Sequence, residues 1–208
     1  MRERKRGPGR REPRTSRPRP NRRSEWTRLV SEIESCRRCP LGSLRTHAVV
    51  YRGSLSPRIV FIGEAPGAAE DREGLPFVGR SGRRLDEAIA RLALPTRDVG
   101  VLNVLKCRPP GNRFDPAAAR TCRPFLDRQL DLLRPRVLVT LGASALRAID
   151  PEAPAMLASA GAPRSAGRRS LFPLIHPAAA LRSRRLAERW TRDVDALGRW
   201  LATLDKPL

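Results

Sequence analysis

Four short apolar runs, at residues 58–63, 99–105, 136–141 and 171–175, constrain the fold of this chain more than any other feature. Each is apolar over most of its consecutive residues rather than alternating, which is the pattern of a strand buried on both faces. Between them lie helical patterns at 81–92, 115–133 and 143–149, and a long amphipathic one follows at 183–204. Asp115 stands as a cap with Pro116 in the first helical position. A further helix is predicted over 24–34, where Ser24 is placed to cap and Trp26, Leu29, Val30 and Ile33 recur at helical spacing. Strand alternating with helix predicts an α/β fold, a three-layer αβα sandwich around a central, mainly parallel four-stranded sheet. At 208 residues with 40% hydrophobic side chains, the chain is long enough for one sizeable core.

In open parallel sheets, ligands bind outside the carboxyl ends of the strands. Those ends carry Gly63-Glu64, Asn103, Gly142 and His176. Singly, Asn103 reads as a loop cap and His176 as a packed or surface residue. Together they bring a carboxylate, a carboxamide and an imidazole to one edge of the sheet from separate parts of the sequence. A carboxamide presents a donor beside an acceptor, matching the edge of a nucleobase, and an imidazole donates to an oxygen that becomes negative. The stretch Gly63-Glu64-Ala65-Pro66-Gly67 lacks the Gly-Lys-Ser/Thr ending of a P-loop, and Glu70 and Asp71 follow closely. It predicts a tight turn that brings backbone up to a ligand, with Phe77 offering a flat face for stacking.

The four cysteines are Cys36, Cys39, Cys107 and Cys122. Two disulfides would require an oxidising compartment, whereas the Arg-rich start has no apolar core of a secretory signal. A single four-thiolate site is the better reading, and thiolates suit either zinc or an iron-sulfur cluster. The spacing is too uneven for a zinc ribbon.

A net charge of +21 points to a polyanionic partner, and nucleic acid leads that class. Residues 1–23 hold eleven Lys or Arg against two Glu, and the remaining body is basic by itself. That segment also has four Pro and no apolar side chain beyond Met1, so it is expected to be a disordered tail that contacts phosphates without sequence preference. The folded domain is then expected over 24–208. No stretch reaches the length of a membrane span, so no membrane association is expected.

Three separated motifs, taken with the cysteines, resemble a known family. They are Gly63-Glu64-Ala65-Pro66-Gly67 with Glu70-Asp71 and Leu75-Pro76-Phe77-Val78-Gly79; Asn103-Val104-Leu105-Lys106-Cys107-Arg108-Pro109-Pro110-Gly111-Asn112-Arg113; and His176-Pro177-Ala178-Ala179-Ala180-Leu181-Arg182. The order and content are similar to the family-four, iron-sulfur uracil-DNA glycosylases. The resemblance implies that Cys36, Cys39, Cys107 and Cys122 hold a structural 4Fe-4S cluster. It further implies uracil held by Glu64, Ala65 and Pro66, stacked on Phe77, read by Asn103 and contacted by His176, with Glu70 crowding the 5-position of the base. Leu181 and Arg182 are the expected DNA contacts.

What the resemblance implies as activity is a monofunctional glycosylase that releases uracil from DNA and leaves an abasic site, with Glu64, Asn103 and His176 as the catalytic set. It is expected to act as a monomer in the cytoplasm, on the bacterial nucleoid. In the family-one enzymes the position resembling Ala65 is a water-assisting Asp. Alanine cannot do this, so bond cleavage is expected to rest on stabilising the leaving uracil. Segment 108–113 lacks the extra histidine of a branch that traps itself on the abasic sugar. The competing reading is a non-catalytic iron-sulfur DNA-binding or redox-sensing module, for which Glu64, Asn103 and His176 are superfluous.

Overall fold

The computed structural model of the chain describes residues 21–167 and 169–204. Its first elements are α1 (Arg22–Glu34), α2 (Leu41–Leu44), β1 (Arg52–Gly53), β2 (Ile59–Gly63), α3 (Ala68–Glu73), α4 (Arg80–Arg91) and β3 (Val99–Asn103). There follow α5 (Pro116–Leu133), β4 (Val137–Leu141), α6 (Ala143–Ile149), α7 (Met156–Ser159), β5 (Arg164–Ala166), β6 (Arg169–Leu174), α8 (Pro177–Ala180) and α9 (Arg184–Leu204).

The strands form one sheet in the order β1-β3-β2-β4-β6-β5. The inner four are the apolar runs of the sequence, and they are parallel to one another. The sheet has six strands rather than four because β1 and β5 add antiparallel edges to β3 and β6. Neither edge carries an apolar run, since an edge strand of two or three residues is held by its ladder and buries little side chain.

Successive residues of the inner strands point to opposite faces, and both faces are covered. Ile59, Phe61, Val101, Val139 and Phe172 pack toward Leu85 and Ala88 of α4 and Trp190, Val194 and Leu197 of α9. Val60, Ile62, Leu102, Leu138 and Leu171 face Leu126, Leu130 and Leu133 of α5 and Leu146 of α6. Each fully buried Leu, Ile, Val or Phe contributes about 1.5–3 kcal/mol. Helix α1 lies outside α5, with Leu29 and Ile33 against Phe125.

Asp115 caps α5 as expected, its Oδ1 accepting from the amides of Ala117 and Ala118 at 2.8 and 3.0 Å. Helix α1 starts earlier than expected. Asn21, not Ser24, is its cap and accepts from the Arg23 amide, while Ser24 Oγ donates to the Asn21 carbonyl. Residues 21–23 therefore belong to α1 and its cap, and the expectation for residues 1–20 lies outside the described residues. No helix among the described residues is long and apolar enough to cross a membrane.

The register aligns the strand ends on which the site depends. Gly63 is the partner of Asn103 across β2 and β3, and Leu141 is the partner of Leu174 across β4 and β6. From β2 the chain runs to β3 on one side of the sheet, and β4 takes the other side. The loops after β2 and β4 thus diverge and leave a crevice at the carboxyl ends.

Candidate functional site

A cleft of about 580 Å³ opens at that crevice, and its walls include Glu64, Ala65, Pro66, Glu70, Phe77, Asn103, His176 and Arg182. These are the site residues expected from the sequence, apart from the cysteines and Leu181. Leu181 ends α8 in an exposed position beside Arg182 and is not part of the cleft wall.

Asn103 ends β3 and is 1% exposed. Its Oδ1 is buried without a hydrogen-bond partner. An unmet buried acceptor of this kind costs about 1–3 kcal/mol until a donor arrives. Room for it exists because residue 63 is glycine: a Cβ there would lie 2.3 Å from Asn103 Oδ1 and 2.5 Å from Phe77 Cζ.

His176 follows β6 and caps α8, with Nδ1 accepting from the Ala178 amide at 3.1 Å. The remaining ring nitrogen of the neutral imidazole is then an N–H donor. Burial and the nearby Arg182 charge push the His176 pKa down to about 4, against an opposing pull from Glu70. The ring is therefore neutral at physiological pH. Gly142, at φ +91°, is what lets the end of β4 approach it, since a Cβ there would lie 3.1 Å from His176 Cβ. The Phe77 and His176 rings lie with centroids 6.1 Å apart.

Glu64 is held by Ser144, whose Oγ donates to Glu64 Oε2 at 2.7 Å. Sequence reasoning passed over Ser144, although it stands two residues after Gly142 at a strand end. The loop after β2 is also tied to the one after β3, by Val104 N to Gly63 O at 2.9 Å and Leu105 N to Glu64 O at 3.0 Å. Glu70 has both carboxylate oxygens engaged by backbone amides, Gly67 on one and Val78 and Gly79 on the other.

The four cysteines form no disulfide with one another and line one small cavity with Arg45, Lys106 and Phe125. Among the described residues, no three His, Cys, Asp or Glu side chains are grouped tightly enough to cage a single ion. Burial pushes the Cys107 thiol up against the pull of Arg45, which donates to its Sγ at 3.0 Å. Burial likewise raises Cys122, opposed by Lys106. For Cys36 the burial effect is outweighed by hydrogen bonds and charge from Arg38 and by Arg45, so its thiol titrates lower than usual. Lys106 is buried at this cavity, its pKa pushed down to about 8 by burial against the pull of Cys122 and Cys107, and its ammonium donates to the Asn103 carbonyl. Neither Arg45 nor Lys106 was singled out from the sequence, because only the fold sets them beside the sulfurs.

The family model of the uracil DNA glycosylase superfamily matches residues 50–196. The type-4 uracil-DNA glycosylase of Thermotoga maritima is 41% identical over 166 residues, spanning 78% of this chain and 86% of its own. That of Archaeoglobus fulgidus is 39% identical over 179 residues, 82% of this chain and 90% of its own. A type-5 uracil-DNA glycosylase of Pyrobaculum aerophilum is 31% identical over 152 residues, 58% of this chain and 67% of its own.

Proposed function

This chain belongs to the type-4 uracil-DNA glycosylases of the uracil DNA glycosylase superfamily, and we propose that its cleft performs the reaction through Asn103 and His176. The reaction is hydrolysis of the N-glycosidic bond of uracil in DNA, releasing free uracil and leaving an abasic site for repair. The carrying observation is the buried, unpartnered Oδ1 of Asn103 in the cleft wall. Uracil offers an N3–H donor beside an O4 acceptor, which complements a carboxamide's oxygen and NH2. Cytosine offers the reverse and would set donor against donor.

As the bond to the sugar breaks, negative charge develops on the uracil ring and its O2. His176, neutral and with an N–H donor free of the α8 cap, stabilises that charge without being a competing acid. Ala65 contributes no proton acceptor, so leaving-group stabilisation comes first and water follows. Glu64, anchored by Ser144, is the group placed to orient that water. Phe77 stacks on the base. A base in duplex DNA must first be extruded, at about a few kcal/mol. Arg182 at the cleft wall and Leu181 beside it grip the opened strand, aided by the basic surface.

Cys36, Cys39, Cys107 and Cys122 would hold a 4Fe-4S cluster, which when bound supplies a structural tie between α1, α5 and the loop after β3. That all four line one small cavity supports this, because thiolates are the ligands that an iron-sulfur cluster takes. Lys106 and Arg45 offset the negative charge that such a set carries. The enzyme acts as a monomer on uracil-containing DNA in the cytoplasm, and its first 20 residues serve as a phosphate-binding arm. A non-catalytic DNA-binding module would leave the orphaned Asn103 oxygen and the neutral His176 donor without a purpose. The test is release of free uracil from a duplex with one U·G mismatch. The native chain releases it, and Asn103→Ala lowers the rate by about 100-fold or more; binding without release by the native chain would defeat the reading.

A further inference from the structure

The carboxylate of Glu70 joins two loops that the sequence separates. Its Oε2 accepts from the amide of Gly67, the cap of α3, at 3.0 Å. Its Oε1 accepts from Val78 at 3.0 Å and from Gly79, the cap of α4, at 2.9 Å. Immediately before those two amides stands Phe77, at φ +57°. A left-handed backbone is costly for an aromatic residue and persists only where its surroundings dictate it. They do so here on three sides. The Phe77 carbonyl lies against α4, where a Cβ on Gly82 would come within 1.9 Å of it, and the Phe77 ring lies against Gly63. Glu70 holds the amides that follow.

We propose that Glu70 is a positioning residue that sets the width of the base pocket through Phe77, by clamping backbone, and not by crowding the 5-position of the base. The inference rests on the uracil-excision reading of the same cleft. Its chemistry is specific to a carboxylate. Three N–H donors converge on two oxygens, and a carboxylate offers acceptors on both with no donor of its own. Glutamine has the same size but one acceptor. Whichever loop its oxygen serves, its NH2 confronts the N–H groups of the other.

The size match makes Glu70→Gln decisive. Crowding at the 5-position depends on volume, which the substitution preserves, whereas the clamp depends on a second acceptor, which it removes. We expect kcat/KM for uracil release from a U·G duplex to fall on the order of 10- to 100-fold in Glu70→Gln. The melting temperature and iron content should stay close to those of the native chain. In a Phe77→Ala background the same substitution should cost little more, because the clamp acts through the residue already removed. Retention of native uracil release in Glu70→Gln, or a full additional loss in the Phe77→Ala background, would overturn the proposal. A readout on the native protein needs no variant. The amides of Gly67, Val78 and Gly79 should be protected from hydrogen exchange, and exchange at the rate of an unstructured peptide would also overturn it. A native chain that released no uracil would sink the functional reading while leaving that exchange result to judge the clamp.

Discussion

Asn103 Oδ1 occupies the space that a side chain on Gly63 would need, 2.3 Å from where its Cβ would stand, and the two residues are register partners across β2 and β3. The missing side chain of one is the room for the other's carboxamide. Gly63→Ala should push the carboxamide and the Phe77 ring out of place, at about 1–3 kcal/mol of overpacking and on the order of 100-fold or more in kcat/KM. Steady-state uracil release, with iron content as the folding control, checks this. Near-native turnover would mean the pocket wall yields.

On the proposed mechanism Ser144 serves the reaction by holding Glu64, to which its hydroxyl donates. Removing its hydroxyl takes away one hydrogen bond of about 1 kcal/mol, so Ser144→Ala should lower kcat by about 5-fold with KM unchanged. Ser144→Thr keeps the hydroxyl and should retain most activity. A change in KM alone would indicate that the hydroxyl serves binding instead.

The pH dependence follows from His176. Its pKa in the folded protein, about 4, lies below the ordinary histidine value of 6.5, so the neutral ring persists as pH falls. Activity should have no histidine-linked limb between about pH 5.5 and 8 and should drop only as pH approaches about 4. Stability carries the opposite face of the same shift. The unfolded chain takes up a proton below about 6.5 that the folded chain refuses, so stability contributed by His176 is present above that pH and is lost as pH falls toward about 4. Paired kcat/KM and melting profiles of the native chain and His176→Asn would show it. An activity midpoint near the ordinary histidine value would contradict the neutral donor.

Of the four cysteines, Cys107 is the residue buried from solvent, the other three being half-buried. Cys107→Ser should abolish the visible absorbance of the proposed iron-sulfur site and destabilise the chain on the order of 3 kcal/mol or more, because the buried Lys106 then loses the negative charge of the thiolate set beside it. Iron analysis and denaturant melts measure both effects. Full stability without iron would show the tie to be dispensable.

Deleting residues 1–20 should leave uracil release from a short duplex nearly intact at low salt but flatten the dependence of DNA affinity on salt. Every phosphate that the segment no longer neutralises should reduce the slope of log affinity against log salt by about 0.9. An unchanged slope would make the segment a passive extension.

Much of this protein is determined locally and is therefore legible in the sequence. Continuous apolar runs such as 58–63 specify strands buried on both faces, and Asp115-Pro116 specifies where α5 begins. The spacing of glycine, carboxamide and histidine at strand ends placed the cleft, since parallel strands deliver their carboxyl ends to one edge. The edge strands β1 and β5 were not legible, because a ladder between short polar segments leaves no apolar pattern. Nor was the start of α1, where Asn21 competes with Ser24 as cap and only the chain's packing chooses. Tertiary structure alone decided the distances: Ser144 on Glu64, Lys106 between the thiols and Asn103, and Glu70 on the backbone amides of Gly67, Val78 and Gly79. Sequence patterns report which face a residue prefers, but a hydrogen bond across two loops depends on angstrom-scale geometry that the whole packed fold sets.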